Sequence, residues 1–222
     1  LPQGMRRSGG IRSSWTAMGE LLRQKPFMCY VGVQGFTMGG FFGYVAASPF
    51  VLQGMYGLSP KTYSIIFGCN AMSLMVFAFG TARNARRLGE ARLLRIGNTL
   101  RAVACVGVLA VTVVSPTSPV PLLIGLFFMI ALQGMTLPTS FTIGISAQNV
   151  GAGTASGILG VSVFIFGALT SPLVGLAGGG TALPLGIVCA VTGVASALLG
   201  YVGERELKKL RQVNGAAAEP RP

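Results

Sequence analysis

The sequence predicts an all-α membrane protein built on six transmembrane helices. Two observations of composition and one of charge placement carry that expectation. About half of the 222 residues are apolar and only 10% are charged, whereas soluble domains average about a quarter charged. Six apolar stretches, about 27–48, 62–82, 96–114, 120–141, 153–177 and 182–203, each reach the roughly 20 residues a helix needs to cross about 30 Å of hydrocarbon. A spanning backbone must satisfy its own polar groups. Barrel strands would be about 10 residues of strict alternation; these runs are longer and do not alternate, so helices are expected.

The net charge of +12 is distributed unevenly. Arg6, Arg7, Arg12, Arg23 and Lys25 precede the first span. Arg83, Arg86, Arg87, Arg92 and Arg95 lie between the second and third. Arg205, Lys208, Lys209, Arg211 and Arg221 follow the sixth. With six spans these segments share one side, and Lys61 stands alone on the other. This positive-inside pattern places both termini in the cytoplasm and accounts for the charge without a nucleic-acid partner. Arg101, near the start of the third span, is expected to snorkel back to the basic side. The organisation is then a cytoplasmic linker or short helix (1–25), a six-helix bundle (26–203) and a cytoplasmic tail (204–222).

Residues 1–25 read either as a solvated connector or as a short amphipathic helix on the membrane surface, with Trp15, Met18, Leu21 and Leu22 near one face. Pro26 suits a helix start. In the first span Tyr30, Gln34, Thr37, Phe41, Tyr44 and Ser48 follow steps of 4, 3, 4, 3 and 4, which sets them on one face. Every tyrosine, glutamine, threonine and serine of the span lies on that stripe. Unpaired polar groups are costly in lipid. The stripe should therefore make hydrogen bonds between helices or wall a cavity, and with its aromatics it reads as a cavity wall. Pro49 either terminates the helix or provides a gating bend at the outer mouth. Gly54 to Pro60 form a short outer turn.

In the second span Tyr63, Asn70, Ser73, Phe77 and Thr81 share about a third of the circumference. "RNARRLGEARLLR" (83–95) is a charged inner hairpin. The third and sixth spans are aliphatic and small, with few polar groups, and are expected to face lipid as support. "SPTSPVP" (115–121) is an outer turn. In the fourth span Met129, Gln133, Thr136 and Ser140 line up, and Pro138 loosens the helix. In the fifth, Gly153, Gly157, Gly160, Phe164, Gly167, Ser171 and Gly175 form a stripe with almost no side chains. That stripe permits close helix contact and, with Pro172 near its end, bending between two states. "GGGT" (178–181) reads as a tight turn, since no GK[ST] follows for a phosphate cradle. The tail begins as a charged helix end at Glu204 and is expected to become disordered in "GAAAEPRP".

Chemistry that breaks bonds lacks its parts. The chain has no histidine, and its acids are Glu20, Glu90, Glu204, Glu206 and Glu219, all in loops or tail. Cys29, Cys69, Cys105 and Cys189 form no CxxC pair, so they read as small apolar helix residues, with no metal centre. No catalytic residue, enzyme activity or cofactor is expected. With no acid in a span, any proton relay needs its titrating group elsewhere. The chain opens on a polar, Arg-rich segment without methionine; no signal peptide is expected, and the start reads as a cut through a longer protein.

"GFTMGGFFGYVAASPFVLQGMYGLSPKTYSIIFGCNA" (35–71) resembles the major facilitator superfamily, and more narrowly the Bcr/CflA type of drug:proton antiporter. The resemblance lies in the Y-x-x-x-SPFVLQ-like phrase of Tyr44 to Gln53, the "YGLS" turn, and Phe67, Asn70 and Ala71. "LPQGM" looks like that family's LPETL phrase, with Gln3 in place of the acid. "AGTASGILG" (152–160) looks like the start of its eleventh helix. "GALTSPLVG" (167–175) is similar to the antiporter motif, with Ser171 replacing a glycine. "GTARNARRLGEARLL" (80–94) is a degenerate relative of the G-x-x-x-DR-x-GRR loop, with Asn84 where aspartate would stand.

The resemblance implies the C-terminal six-helix half of a twelve-helix transporter, partnered by an N-terminal half and exporting small amphipathic antibiotics against a proton gradient across a bacterial inner membrane. It implies that the first, second, fourth and fifth spans line the cavity. The substrate cavity would then hold Tyr30, Gln34, Thr37, Phe41, Tyr44, Ser48, Asn70, Ser73, Phe77, Gln133, Thr136 and Ser140. Pro49, Pro138, Gly153, Gly157, Gly160, Gly167, Ser171, Pro172 and Gly175 would serve gating and packing. The competing expectation is a stand-alone six-helix membrane protein, acting as a homodimeric small-solute transporter or a scaffold.

Overall fold

A computed structural model of the chain describes residues 11–114, 117–148, 151–175 and 181–218. The described residues form helices and turns, with no strand. In order they are α1 (Ile11–Arg23), α2 (Lys25–Pro49, continued by a π-helical segment Phe50–Met55), α3 (Pro60–Leu88), α4 (Glu90–Val114), α5 (Pro119–Ser146), α6 (Ala152–Gly175) and α7 (Leu183–Ala218). Six of them, α2 to α7, are long and apolar enough to cross a bilayer, so this is a multi-pass membrane protein. One end of the bundle carries Arg83, Arg86 and Arg87 of α3, Arg92 and Arg95 of α4, and Arg205, Lys208 and Lys209 of α7, and is called the basic end below.

Local chemistry sets the helix ends. Pro26 sits in the first turn of α2, where the missing N–H has no helical partner to lose. The Ser59 hydroxyl caps α3 by accepting from the Thr62 N–H at 3.2 Å. Gly89, with φ of 77°, turns the chain between α3 and α4 in a conformation that a Cβ would strain. The Thr181 hydroxyl accepts from the Leu183 N–H at 3.0 Å, at the start of α7.

Pro49 does not end its helix. A proline lacks an N–H and its ring crowds the carbonyl four residues earlier, and here the chain widens into a π-turn, with the Tyr56 N–H reaching Val51 O at 3.1 Å. The first span therefore runs to Met55, past the expected boundary near 48. At the other end of the chain α7 continues to Ala218, so residues 215–218, expected to be disordered, are helical. Ser115, Pro116 and residues 176–180 of the expected turns, and 219–222 of the tail, lie outside the described residues.

α2 is the central helix. It packs against α6 and α7 along its length and against α5; α4 packs between α5 and α7; α3 rests mainly on α5. The largest buried apolar cluster joins α2, α4, α5 and α7 around Tyr44, Leu52, Cys105, Leu126 and Leu185. A second lies near the basic end, where Leu21 of α1 is buried with Phe27, Val31, Ala155 and Leu159. Trp15 and Leu22 remain exposed on α1.

Glycine lets two of these seams close. A Cβ on Gly134 would press into the α3 backbone at Leu74 O, and would stand 2.8 Å from the Ala78 nitrogen. A Cβ on Gly193 of α7 would meet Cys105 Cβ at 2.6 Å. The expected glycine stripe of α6 behaves differently. Gly167 lies under the Phe42 ring, but Gly153, Gly157, Gly160 and Gly175 have nothing within 4 Å of where a Cβ would be. Close contact along the whole stripe is not made within this bundle.

Two further expectations are corrected. Arg101 does not snorkel: it is fully buried, the largest of the fully buried side chains. Its Nη2 donates to Thr37 O at 3.0 Å. The helices α4 and α7 are also more than aliphatic support. Their outer faces are apolar, with Val103, Val106, Val113, Val191 and Leu198 exposed, but Asn98, Arg101, Thr112, Thr192 and Ser196 are buried. Leu94, Asn98, Arg101, Cys105, Val108 and Thr112 make one inward stripe at helical spacing.

Gly134→Val should destabilise the bundle by about 1–3 kcal/mol through overpacking against backbone that cannot yield. Gly107→Ala, where the added methyl meets open space, should be neutral or slightly stabilising because alanine favours helix. Thermal unfolding of the two variants in detergent micelles checks the contrast.

Candidate functional site

Between α2, α3, α5 and α6 the bundle opens into a groove of about 420 Å³. Gln34 and Met38 line it from α2, Leu74 and Ala78 from α3, Gln133, Leu137, Pro138 and Phe141 from α5, and Val163 from α6. No charged side chain borders it. Gln34 and Met38 reach it because they sit one helical turn apart on the same face of α2. Pro138 contributes by omission: it has no N–H to offer Gly134 O, four residues earlier, which leaves that carbonyl without its helical donor.

Two buried amides hold the groove in register. Gln34 Nε2 donates to Leu137 O at 2.9 Å. Gln133 Nε2 donates to Met38 Sδ at 3.3 Å, a weak bond, and Gln133 Oε1 is buried without a partner. A buried acceptor left unmade costs about 1–3 kcal/mol. A molecule bringing an N–H or O–H to Gln133, with an apolar body against Leu74, Phe141 and Val163, would relieve that cost.

A second group of side chains spans the gap between α2 and α3, whose backbones do not pack closely. Asn70 Nδ2 donates to Tyr44 Oη at 3.0 Å. The Tyr44 ring stacks on Phe67, with centroids 5.9 Å apart and planes 10° from parallel. Ser48 Oγ and Tyr63 Oη share a hydrogen bond of 3.0 Å. Phe41 lies against both Phe42 and Tyr44. Tyr44, Ser48 and Asn70 are all buried, so in this conformation the cluster is a closed clasp beside the groove.

The expected cavity residues therefore divide. Gln34 and Gln133 line the groove, and Phe41, Tyr44, Ser48 and Asn70 form the clasp beside it. Ser73, Thr136 and Ser140 are buried but turn their hydroxyls to their own helices, at Asn70 O (2.7 Å), Leu132 O (3.2 Å) and Leu137 O (3.1 Å). Phe77 is half-buried on α3 and lies outside the groove. Tyr30 and Thr37 turn the other way. Tyr30 packs with Val33, Leu94 and Ile143 and borders a separate cavity of about 260 Å³ at the basic end, beside Arg95, Asn98 and Glu204. Thr37 shares a 3.0 Å hydrogen bond with Ser196 of α7.

Thr37 thus belongs to a second polar seam, behind α2, that the sequence reading did not anticipate. Ser196 Oγ donates to Asn98 Oδ1 at 2.9 Å, and Asn98 Nδ2 donates to Ser196 O at 2.8 Å. Arg101 completes the seam from α4. The spacing rule used for the first span would have found it: Asn98 and Arg101 of α4, and Thr192 and Ser196 of α7, each sit at helical spacing on one face.

Among the packing residues, Pro49 opens the π-turn and Pro138 lies inside α5. Ser171 donates to Gly167 O at 2.9 Å. Pro172 is exposed inside α6.

No protein-family model matches the chain. Among curated proteins, it is 36% identical over 208 residues to an uncharacterized MFS-type transporter, YdgK, of Bacillus subtilis (strain 168), a match covering 92% of this chain and 51% of that protein. It is 25% identical over 189 residues to a bicyclomycin resistance protein homolog of Haemophilus influenzae, covering 85% of this chain and 47% of that one. The chain spans about half the length of the curated relatives it matches. Six apolar spanning helices and these two likenesses support membership of the MFS-type transporters.

Proposed function

We propose that this chain is the C-terminal six-helix half of an MFS transporter that exports small amphipathic antibiotics by proton antiport. The observation that carries the reading is the groove: uncharged, open on one side, and walled by buried amides, a methionine and apolar side chains. A pocket of mostly apolar character with a few placed polar groups fits a small organic ligand, and an adaptable methionine suits varied ones.

The remaining features fit that reading. Half-length coverage of the relatives agrees with a missing N-terminal half. Its seat would be the faces of α3 and α6, which carry exposed Met72, Met75, Phe164 and Leu169. The open glycines Gly153, Gly157 and Gly160 allow another helix to approach closely there. Rocking of the two halves would present the groove to either side of the membrane. The glutamates within the spanning helices, Glu90, Glu204 and Glu206, do not line the groove, so the proton-coupling acid would belong to the N-terminal half. The basic end, with both termini, would face the cytoplasm of a bacterial cell.

Two experiments test the reading. Tyr44→Ala and Asn70→Ala should each lower antibiotic efflux by the full-length gene product by about tenfold, since each leaves the other's polar group unpaired; wild-type efflux of every substrate by both variants, at normal expression, would reject the site. Single cysteines at positions 34 and 133 should react with water-soluble thiol reagents and be protected by substrate. Labelling only by lipid-soluble reagents would mean that the groove is dry.

A further inference from the structure

We infer that Arg101 sets the charge preference of the groove, making it a site for neutral or anionic amphipathic molecules and one that rejects cations. This rests on the reading of the groove as a wet substrate cavity.

The guanidinium is fully buried where α2, α4 and α7 meet. One nitrogen donates to Thr37 O at 3.0 Å, while Nε and Nη1 have no partner. Among the described residues no carboxylate forms an ion pair with it. Glu90 lies eleven residues before Arg101 on α4, about 16 Å along the helix. Glu204 is engaged by Lys208 at 2.7 Å and Arg95 at 3.8 Å. Glu206 is engaged by Lys209 at 2.7 Å. Among the described residues Arg101 is the one charged side chain that is buried. A guanidinium carries a permanent charge, and burial keeps salt from screening it.

That charge is close to the groove. Thr37, whose carbonyl holds Arg101, is the chain neighbour of Met38, which lines the groove together with Gln34. Only the thickness of α2 lies between, about 10 Å. At an effective dielectric of about 20, a unit charge at that distance weakens the binding of a monovalent cation by roughly tenfold and strengthens that of an anion by as much. The other cations around α2 and α3 are Lys25, Lys61, Arg83, Arg86 and Arg87, at helix ends and exposed. They add to the same sign but are screened by salt. The groove itself offers amides and no carboxylate to compensate.

The potential is measurable without knowing the substrate. In the full-length gene product, with Cys29, Cys69, Cys105, Cys189 and every cysteine of the N-terminal half replaced by alanine, a single cysteine is placed in the groove by Phe141→Cys. Its modification rates with cationic trimethylammonioethyl and anionic sulfonatoethyl methanethiosulfonate are each divided by the rate with a free thiol in solution. The anionic reagent should be favoured at least tenfold. Arg101→Gln should abolish the preference, and Arg101→Lys, which keeps the charge, should retain it. Equal normalised rates with Arg101 in place overturn the inference without requiring any Arg101 variant to fold. So does a preference that persists in folded Arg101→Gln. A cysteine that reacts with neither reagent overturns the wet-groove reading and this inference with it, whereas reaction without charge preference overturns this inference alone.

Discussion

Hydrocarbon offers no hydrogen bonds, and that constraint governs nearly every polar atom in this bundle; among the described residues the buried side-chain exceptions are Tyr56 Oη, Gln133 Oε1 and Arg101 Nε and Nη1. Backbone groups meet it by forming helices. Side chains meet it in two ways here. Thr81, Thr136, Thr139 and Ser140 donate to carbonyls of their own helix, three or four residues back. Gln34, Thr37, Tyr44, Ser48, Asn98 and Arg101 find partners on another helix. Only the second group fixes how helices sit against one another, and α2 takes part in most of its bonds.

α2 therefore separates two polar environments. On one side, Gln34 and Met38 face an open groove. On the other, Thr37 meets Ser196, Asn98 and Arg101 in a closed seam with α4 and α7. Glycines at positions 35, 39, 40 and 43 thin the helix where α6 and α7 press against it, with Phe166, Thr170, Thr192 and Val188 filling the space a Cβ would need. The groove and the seam are thus neighbours through one slender rod, which brings a buried charge within electrostatic reach of an uncharged site.

Much of the architecture was legible because length and apolarity are imposed by the bilayer and recorded residue by residue. The six spans, the turn at Gly89 and the helix start at Pro26 follow from such local rules. The site was legible in part. Periodicity set Gln34 and Tyr44 on one stripe of α2, but a stripe on a buried helix does not say which neighbour it faces. Tyr30 and Thr37 share the stripe and turn to the opposite side. The reading of α4 and α7 failed for a different reason: their aliphatic bulk hid a narrow polar line, and Arg101 was assigned to the interface by its distance from the helix end, although Asn98 on the same face marks an interior. The π-turn after Pro49 depends on how the following loop returns to α3, which no local pattern records.

One feature of α3 has a mechanical consequence. This helix leans mainly on α5, along the seam that Gly134 keeps smooth, and its directional ties to α2 are two neutral hydrogen bonds and one ring stack. Each tie is worth on the order of 1 kcal/mol. A ligand would unfasten all three only by binding an opened form about 3 kcal/mol more tightly than this one. Such a ligand would let α3 swing about its α5 bearing like a door on one hinge, with the bonds of the seam behind α2 left intact.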